Sequence, residues 1–198
     1  MHLSSIISVS PLILFVVSLT APTVVRAQPT AIIDTTAGKL TCTLFPDKAP
    51  IGVANFIGLA QGTKDWISPV THQKKHGVPL YDGTIFHRVI PDFMIQGGDP
   101  AGNGTGDPGY QFKNEVSSDL QFDRPGRLAY ANAGPDTNGS QFFVISGPDG
   151  MRLPPKYSLF GKVVTGLDTV ASIDAVGSKS GKPTEQVTIE SVTIAEAD

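Results

Sequence analysis

The sequence predicts a mainly β fold, an antiparallel barrel or sandwich carrying two helices, and three observations support that prediction. Glycine and proline number 21 and 16 in 198 residues, which favours many turns over long helices. The apolar residues fall largely in short runs of period two bounded by turn residues, the signature of half-buried strands. Strand and helix patterns do not alternate as a parallel sheet requires. The length suits one domain, and neither an internal repeat nor a low-complexity tract divides it.

Taken in order, the first 27 residues stand apart. Residues 12–17 form an apolar core, and Val25-Arg26-Ala27 ends in the small residue that signal peptidases require. Residues 1–27 are therefore expected to be a cleaved secretion signal and residues 28–198 the mature domain. Ser8, Ser10, Pro11, Ser18 and Pro22 interrupt the run before it reaches the ~20 apolar residues of a spanning helix. No membrane association is expected once the signal is removed. No cysteine stands directly after the cleavage site to accept a lipid.

Strands are expected at 31–35 and 39–45, joined as a hairpin through Thr36, Ala37 and Gly38. Pro50 then opens a helix in which Val53, Phe56, Ile57 and Ala60 share a face, and Gly62 supplies its left-handed stop. Further strands are expected at 84–90, 93–97, 127–132, 141–146, 159–164 and 187–194, making eight in all. A second helix is suggested by Leu167, Val170, Ala171 and Ile173 before Gly177. Closure of such a set would remove exposed edges.

The formal net charge is −3, with no basic run and no interleaving of aromatic and basic residues, so neither nucleic acid nor an anionic membrane is an expected partner. Cys42 is the single cysteine, which excludes an intrachain disulfide. Between Leu40 and Leu44 at period two it reads as a small buried hydrophobe.

Residues 86–100 are the most informative stretch. Arg88 stands there among Phe86, Val89, Ile90, Phe93 and Met94 on strand-like sequence, and a guanidinium buried in such company needs partners for its five N–H donors. Gln96 is a candidate partner. Residues 97–109 hold six glycines and two prolines, but without the following Gly-Lys-Ser/Thr of a phosphate loop, so a structured surface loop is expected. His72 and His76 have metal-ligand spacing, yet they lie in a polar insert beside Lys74 and Lys75 and no cysteine or carboxylate pair completes a set. Solvated loop histidines and no metal are the expectation. No serine sits in a Gly-x-Ser-x-Gly elbow, and His87 lacks an evident nucleophile. A second block, residues 129–143, places a turn cluster before a strand on which Gln141 and Phe143 face the same way, with Leu153 and Tyr157 soon after.

The blocks 86–100 and 131–143, followed by Leu159-Phe160-Gly161-Lys162-Val163, resemble the signature segments of cyclophilins, the cyclosporin-binding class of peptidyl-prolyl cis-trans isomerases. The resemblance runs from about residue 31 to 194. It implies a closed eight-stranded antiparallel β-barrel capped by two α-helices. It makes Arg88 the catalytic arginine held by Gln96, with Phe93, Met94, Phe143 and Leu153 forming a proline pocket. Asn132 would bind the substrate carbonyl through its backbone, Ala131 and Gln141 would line the neighbouring surface, and Tyr157 stands where many relatives carry histidine. His87 is grouped with the substrate contacts, and Gly104 and Thr105 border a second pocket. Arg152 replaces the tryptophan common in cyclosporin-sensitive relatives, and Pro154-Pro155 replaces Asp-Gly; the insert of residues 64–79 is longer than in compact relatives.

The implied activity is acceleration of rotation about X–Pro bonds in peptides and in unfolded or folding proteins, with no cofactor and the chain acting as a monomer. The alternative is a proline-peptide binding module or folding chaperone with little turnover. The C-terminus carries no retrieval signal, so secretion to the periplasm is expected rather than retention in the ER.

Overall fold

A computed structural model describes residues 28–195; the expected signal segment and residues 196–198 lie outside the described residues. Ten strands and two α-helices follow one another as β1 (Thr30–Thr35), β2 (Gly38–Leu44), α1 (Pro50–Gln61), β3 (Trp66–Ile67), β4 (Lys74–Lys75), β5 (Arg88–Ile90), β6 (Met94–Gly97), β7 (Arg127–Tyr130), β8 (Phe142–Ile145), β9 (Leu159–Thr165), α2 (Leu167–Ala175) and β10 (Ile189–Ala195). Eight of the strands form one antiparallel sheet in the order β10-β1-β2-β9-β7-β8-β6-β5. The mainly β architecture with two helices is the one the sequence predicts.

The ends of that sheet curl towards each other without forming a full ladder. Ile85 and Thr188 make an isolated bridge, the Phe86 N–H donates to Val187 O at 3.0 Å, and the Ile189 N–H donates to Thr84 O at 2.8 Å. A half-barrel whose edges touch is thus the accurate description, and "closed" overstates it. The same contacts explain why the strand expected at 84–90 shortens to Arg88–Ile90. Its first half spends its hydrogen bonds on the segment before β10.

Inward-facing side chains alternate along each strand, as the two-residue period requires. Ile33, Leu40, Cys42, Leu44, Val89, Ile95, Leu128, Val144 and Phe160 are buried in the main core. Burial pushes the Cys42 thiol up to about 12. Aromatic rings fill the centre: Phe56 from α1 lies 4.8 Å from Tyr81 and 5.3 Å from Phe160, and Tyr130 lies 4.4 Å from Phe160, centroid to centroid.

Pro50 occupies the first turn of α1, and Gly62 closes it with φ 71°, a left-handed conformation in which a side chain would meet the Val78 backbone. In α2 the buried residues are Thr169, Val170 and Ile173, whereas Leu167 and Ala171 are exposed. The helix is turned because Thr169 fits over Gly38, where a Cβ would come within 2.7 Å of its hydroxyl.

The insert is more ordered than its polar sequence suggests. Trp66 pairs with Lys75 and Ile67 with Lys74 in a short hairpin, and the Trp66 indole N–H donates to Val78 O at 2.9 Å. Asp65 takes Lys74 at 2.7 Å and His76 Nδ1 at 2.6 Å, and these neighbours hold its carboxyl below the usual range. Among the described residues no group of three or more His, Cys, Asp or Glu is placed to hold a metal.

Candidate active site

The second face of β5, β6, β8 and β7 builds the site. Register sets Arg88 opposite Gln96, Gln96 opposite Phe143, and Phe143 opposite Ala129, so one row of side chains crosses four strands on the face away from the main core. A second row places Ile90 opposite Met94 and Met94 opposite Ile145. Met94, Ala129, Phe143 and Ile145, with Phe45, Phe122 and Leu159, form a second, smaller apolar cluster, and Ile90, Phe93, Ala131, Leu153 and Tyr157 are half-buried against it.

A cavity of about 270 Å³ opens on this cluster, lined by Arg88, Phe93, Met94, Gln96, Ala131, Asn132, Phe143, Leu153 and Tyr157. Arg88 is exposed at its edge rather than buried in the core, which corrects the expectation of a costly internal charge. The reason is strand alternation: Val89 takes the inward position and Arg88 the outward one. Its Nη1 donates to Gln96 Oε1 at 3.2 Å and lies 3.8 Å from Met94 Sδ. Among the described residues no carboxylate pairs with it within 4 Å.

The walls are held by packing. Phe122 stacks on Phe143 at 5.7 Å and 29°, while Tyr157 meets Phe143 edge-on at 5.4 Å and Phe122 at 6.1 Å. Leu153 ends a 3-10 turn (Gly150–Arg152) in extended conformation. That turn sits against the β5–β6 connection so closely that a Cβ at Gly150 would come within 2.2 Å of Phe93 O. The Asn132 side chain donates to Asn138 Oδ1 at 3.1 Å and to Asn114 Oδ1 at 3.3 Å. Its backbone N–H carries no hydrogen bond within the described residues and is available to a ligand.

Gln141, Gly104 and Thr105 lie outside this cavity and line its neighbour of about 360 Å³, which shares Gln96, Ala131 and Asn132 with it. The intervening glycine-rich loop is a surface loop folded around the buried Asp99. That carboxylate accepts the backbone N–H groups of Ala101 at 2.7 Å, Asn103 at 3.0 Å and Gly104 at 2.5 Å.

The molecule can therefore grip a small apolar ring while offering a guanidinium and a backbone N–H beside it. A family model, "Cyclophilin type peptidyl-prolyl cis-trans isomerase/CLD", matches residues 30–194. This chain belongs to the cyclophilin family. Peptidyl-prolyl cis-trans isomerase A of Mycobacterium tuberculosis is 46% identical over 172 residues, covering 85% of this chain and 93% of that protein. Peptidyl-prolyl cis-trans isomerase B of Streptomyces anulatus is 47% identical over 168 residues, covering 83% and 95%. A Cryptosporidium parvum cyclophilin crystallised in the presence of the dipeptide Ala-Pro superposes with a TM-score of 0.71 at 33% identity, covering 85% of this chain and 99% of that one.

In this cyclophilin His87 does not line either cavity, contrary to its grouping with the substrate contacts. Its half-buried ring lies against Gly104, behind the loop, and neither ring nitrogen reaches a hydrogen-bond partner among the described residues. Burial pushes the imidazole below its usual value. Arg152 likewise does not line the cavity; it is exposed and pairs with Asp149 at 3.1 Å. Sequence reasoning overlooked two supports, Phe122 behind Phe143 and Asp99 under the loop. Asp99 had a legible signal, since an acid followed at once by Pro100 and a Gly-Asn-Gly run is a side-chain-capped turn.

Proposed function

We propose that residues 28–198 form a secreted, periplasmic, monomeric peptidyl-prolyl isomerase in which Arg88 assists rotation of the prolyl bond. The observation that carries this reading is a guanidinium, aligned by Gln96, at the edge of a cup walled by Phe93, Met94, Phe143 and Leu153.

Resonance resists rotation of the peptide bond with a barrier of ~18–20 kcal/mol, and X–Pro bonds isomerise over tens of seconds or longer. No covalent bond is made or broken. Lowering the barrier by ~5–7 kcal/mol speeds the step roughly 10⁴–10⁵-fold, which positioning and electrostatics can supply. As the bond twists, the imide nitrogen loses conjugation and its lone pair becomes a better acceptor. One Arg88 N–H bond is spent on Gln96, and the remaining donors are free to turn to that nitrogen. The interaction is stronger in the twisted state than in the planar one, which is the requirement for catalysis. Meanwhile Phe93, Met94, Phe143 and Leu153 hold the proline ring, and the Asn132 N–H holds the carbonyl that precedes it.

Catalysed cis/trans exchange in a proline peptide, followed by NMR line broadening, tests the reading. Arg88→Ala is expected to lose ~10²–10³-fold and Arg88→Lys nearly as much, because an ammonium lacks the planar fork. Binding without accelerated exchange would leave a proline-peptide binding module instead. For secretion, fractionation and N-terminal sequencing should find a periplasmic protein beginning at Gln28; a chain retaining residues 1–27 in the cytoplasm refutes that part. Light scattering should give the mass of one chain.

A further inference from the structure

A third cavity, of about 430 Å³, adjoins the proline cup. It shares Asn132 and Tyr157 with the proline cup, as the loop-side cavity shares Asn132, so the three meet at that residue. Its walls are Val116, Pro135, Pro154 and Pro155, with Lys156 at the rim. Resting on the isomerase reading above, we infer that this cavity is a subsite for an apolar or aromatic side chain of the substrate, one or two residues from the proline.

Three features support that occupant. Val116 is a large apolar residue left 52% exposed, and three prolines beside it add apolar surface. Prolines lose almost no side-chain entropy when they are covered, so little opposes the burial. The frame is also fixed in advance. Asn114 donates through Nδ2 to Lys156 O at 2.9 Å, accepts from Asn138 Nδ2 at 2.8 Å, and its backbone N–H donates to Asp136 Oδ1 at 2.8 Å. Tyr157, the wall common to both cavities, is locked by its edge contacts with Phe143 and Phe122. Two residues of extended chain span at most ~7 Å, so a side chain near the proline in the cup reaches the adjoining cavity.

The Pro154-Pro155 pair gives the site its character. It makes two successive positions of the wall apolar, and each ring fixes φ near −65°, which limits the backbone freedom of that wall. Lys156 is the one cation at the rim, and an acidic side chain is the competing occupant.

A protease-free assay decides between them. NMR exchange is measured at low concentration of Ala-rich peptides with one proline, carrying Phe, Leu, Asp or Ala at each of the two positions before and after it. Phe and Leu should raise catalysed exchange over Ala about fivefold at a position on one side of the proline, the return expected for partly covering a ring in an open groove. Val116→Asp and Pro135→Ser should each bring the Phe-to-Ala ratio to about twofold or less. Equal rates for all residues at all four positions overturn the subsite, as does a preference for Asp over Phe. Failure of the all-Ala peptide to exchange faster than without protein overturns the isomerase reading and the subsite with it.

Discussion

Gln96 Nε2 donates to Gln141 Oε1 at 2.9 Å, and this amide pair ties Arg88 to the glycine-rich loop. The direction of every bond is dictated from one end. A guanidinium only donates, so Gln96 must present its oxygen to Arg88; its NH₂ then faces Gln141, whose own NH₂ is left for Gly104 O at 3.1 Å and Gly106 O at 2.9 Å. Gln141→Ala should therefore lower kcat/KM by ~3–10-fold although it does not line the proline cup. A double-mutant cycle with Gln96→Ala checks the coupling. The double variant should lose less than the product of the single losses, with a coupling of ~0.5–1.5 kcal/mol; strict additivity would show that Gln141 acts independently.

Asp99 is 1% exposed and answers three backbone N–H groups of the glycine-rich loop. Hydrogen bonds to a charged group contribute ~1.5–3 kcal/mol, and removing the acceptor leaves three loop N–H groups without an internal partner. Asp99→Ala should cost about 3 kcal/mol in urea unfolding and weaken substrates that reach past the loop-side cavity more than short ones. A loss below ~0.5 kcal/mol would mean that the loop's glycines alone hold its shape.

Legibility in the sequence followed periodicity. The alternation in residues 39–45 and the Pro50-to-Gly62 helix lie where expected within a residue, because each is set by local apolar spacing and local stop signals. The site row of Arg88, Gln96 and Phe143 was legible through motif resemblance; its geometry depends on the register of Gln96 against Phe143, ~45 residues apart in sequence, which no local pattern encodes. The exposure of Arg88 was misread because a three-residue strand is too short to reveal its alternation. The Trp66 hairpin was invisible because its pairing partners are lysines, depleted in strands as a class.

His87 gives the fold a pH dependence separate from that of the carboxylates. Burial is the main cause of its lowered pKa, with Asp99 opposing in part. A base whose folded pKa lies below its unfolded ~6.5 binds fewer protons when folded, so stability is full above ~6.5 and falls as pH drops towards the folded value. The lowered carboxyls of Asp65, Asp119 and Asp123 act in the same direction, but only as pH falls below ~4. Urea midpoints at pH 7.5 and 5.5 should therefore drop for the wild type and drop less for His87→Phe. Equal drops would assign the effect elsewhere.

Cys42 should report opening of the barrel. It is fully buried on β2, paired with Ala31 of β1 on one side and Val163 of β9 on the other, so no edge exposes it. With its pKa pushed up to about 12, the thiolate fraction at pH 8 is on the order of 10⁻⁴ in the folded state. Attack by a thiol reagent thus proceeds through opened molecules, at a rate set by their population and the intrinsic reactivity of an unfolded thiol. One thiol should label at once in concentrated urea and very slowly in native buffer. Phe56→Ala removes the ring that joins Tyr81 and Phe160 at the centre of the core, a loss of ~3–5 kcal/mol. If only global opening exposes Cys42, that variant should label ~10²–10⁴ times faster in native buffer, matching its loss in urea unfolding. A labelling rate that ignores Phe56→Ala would instead locate a local opening of β2 that leaves the aromatic core intact.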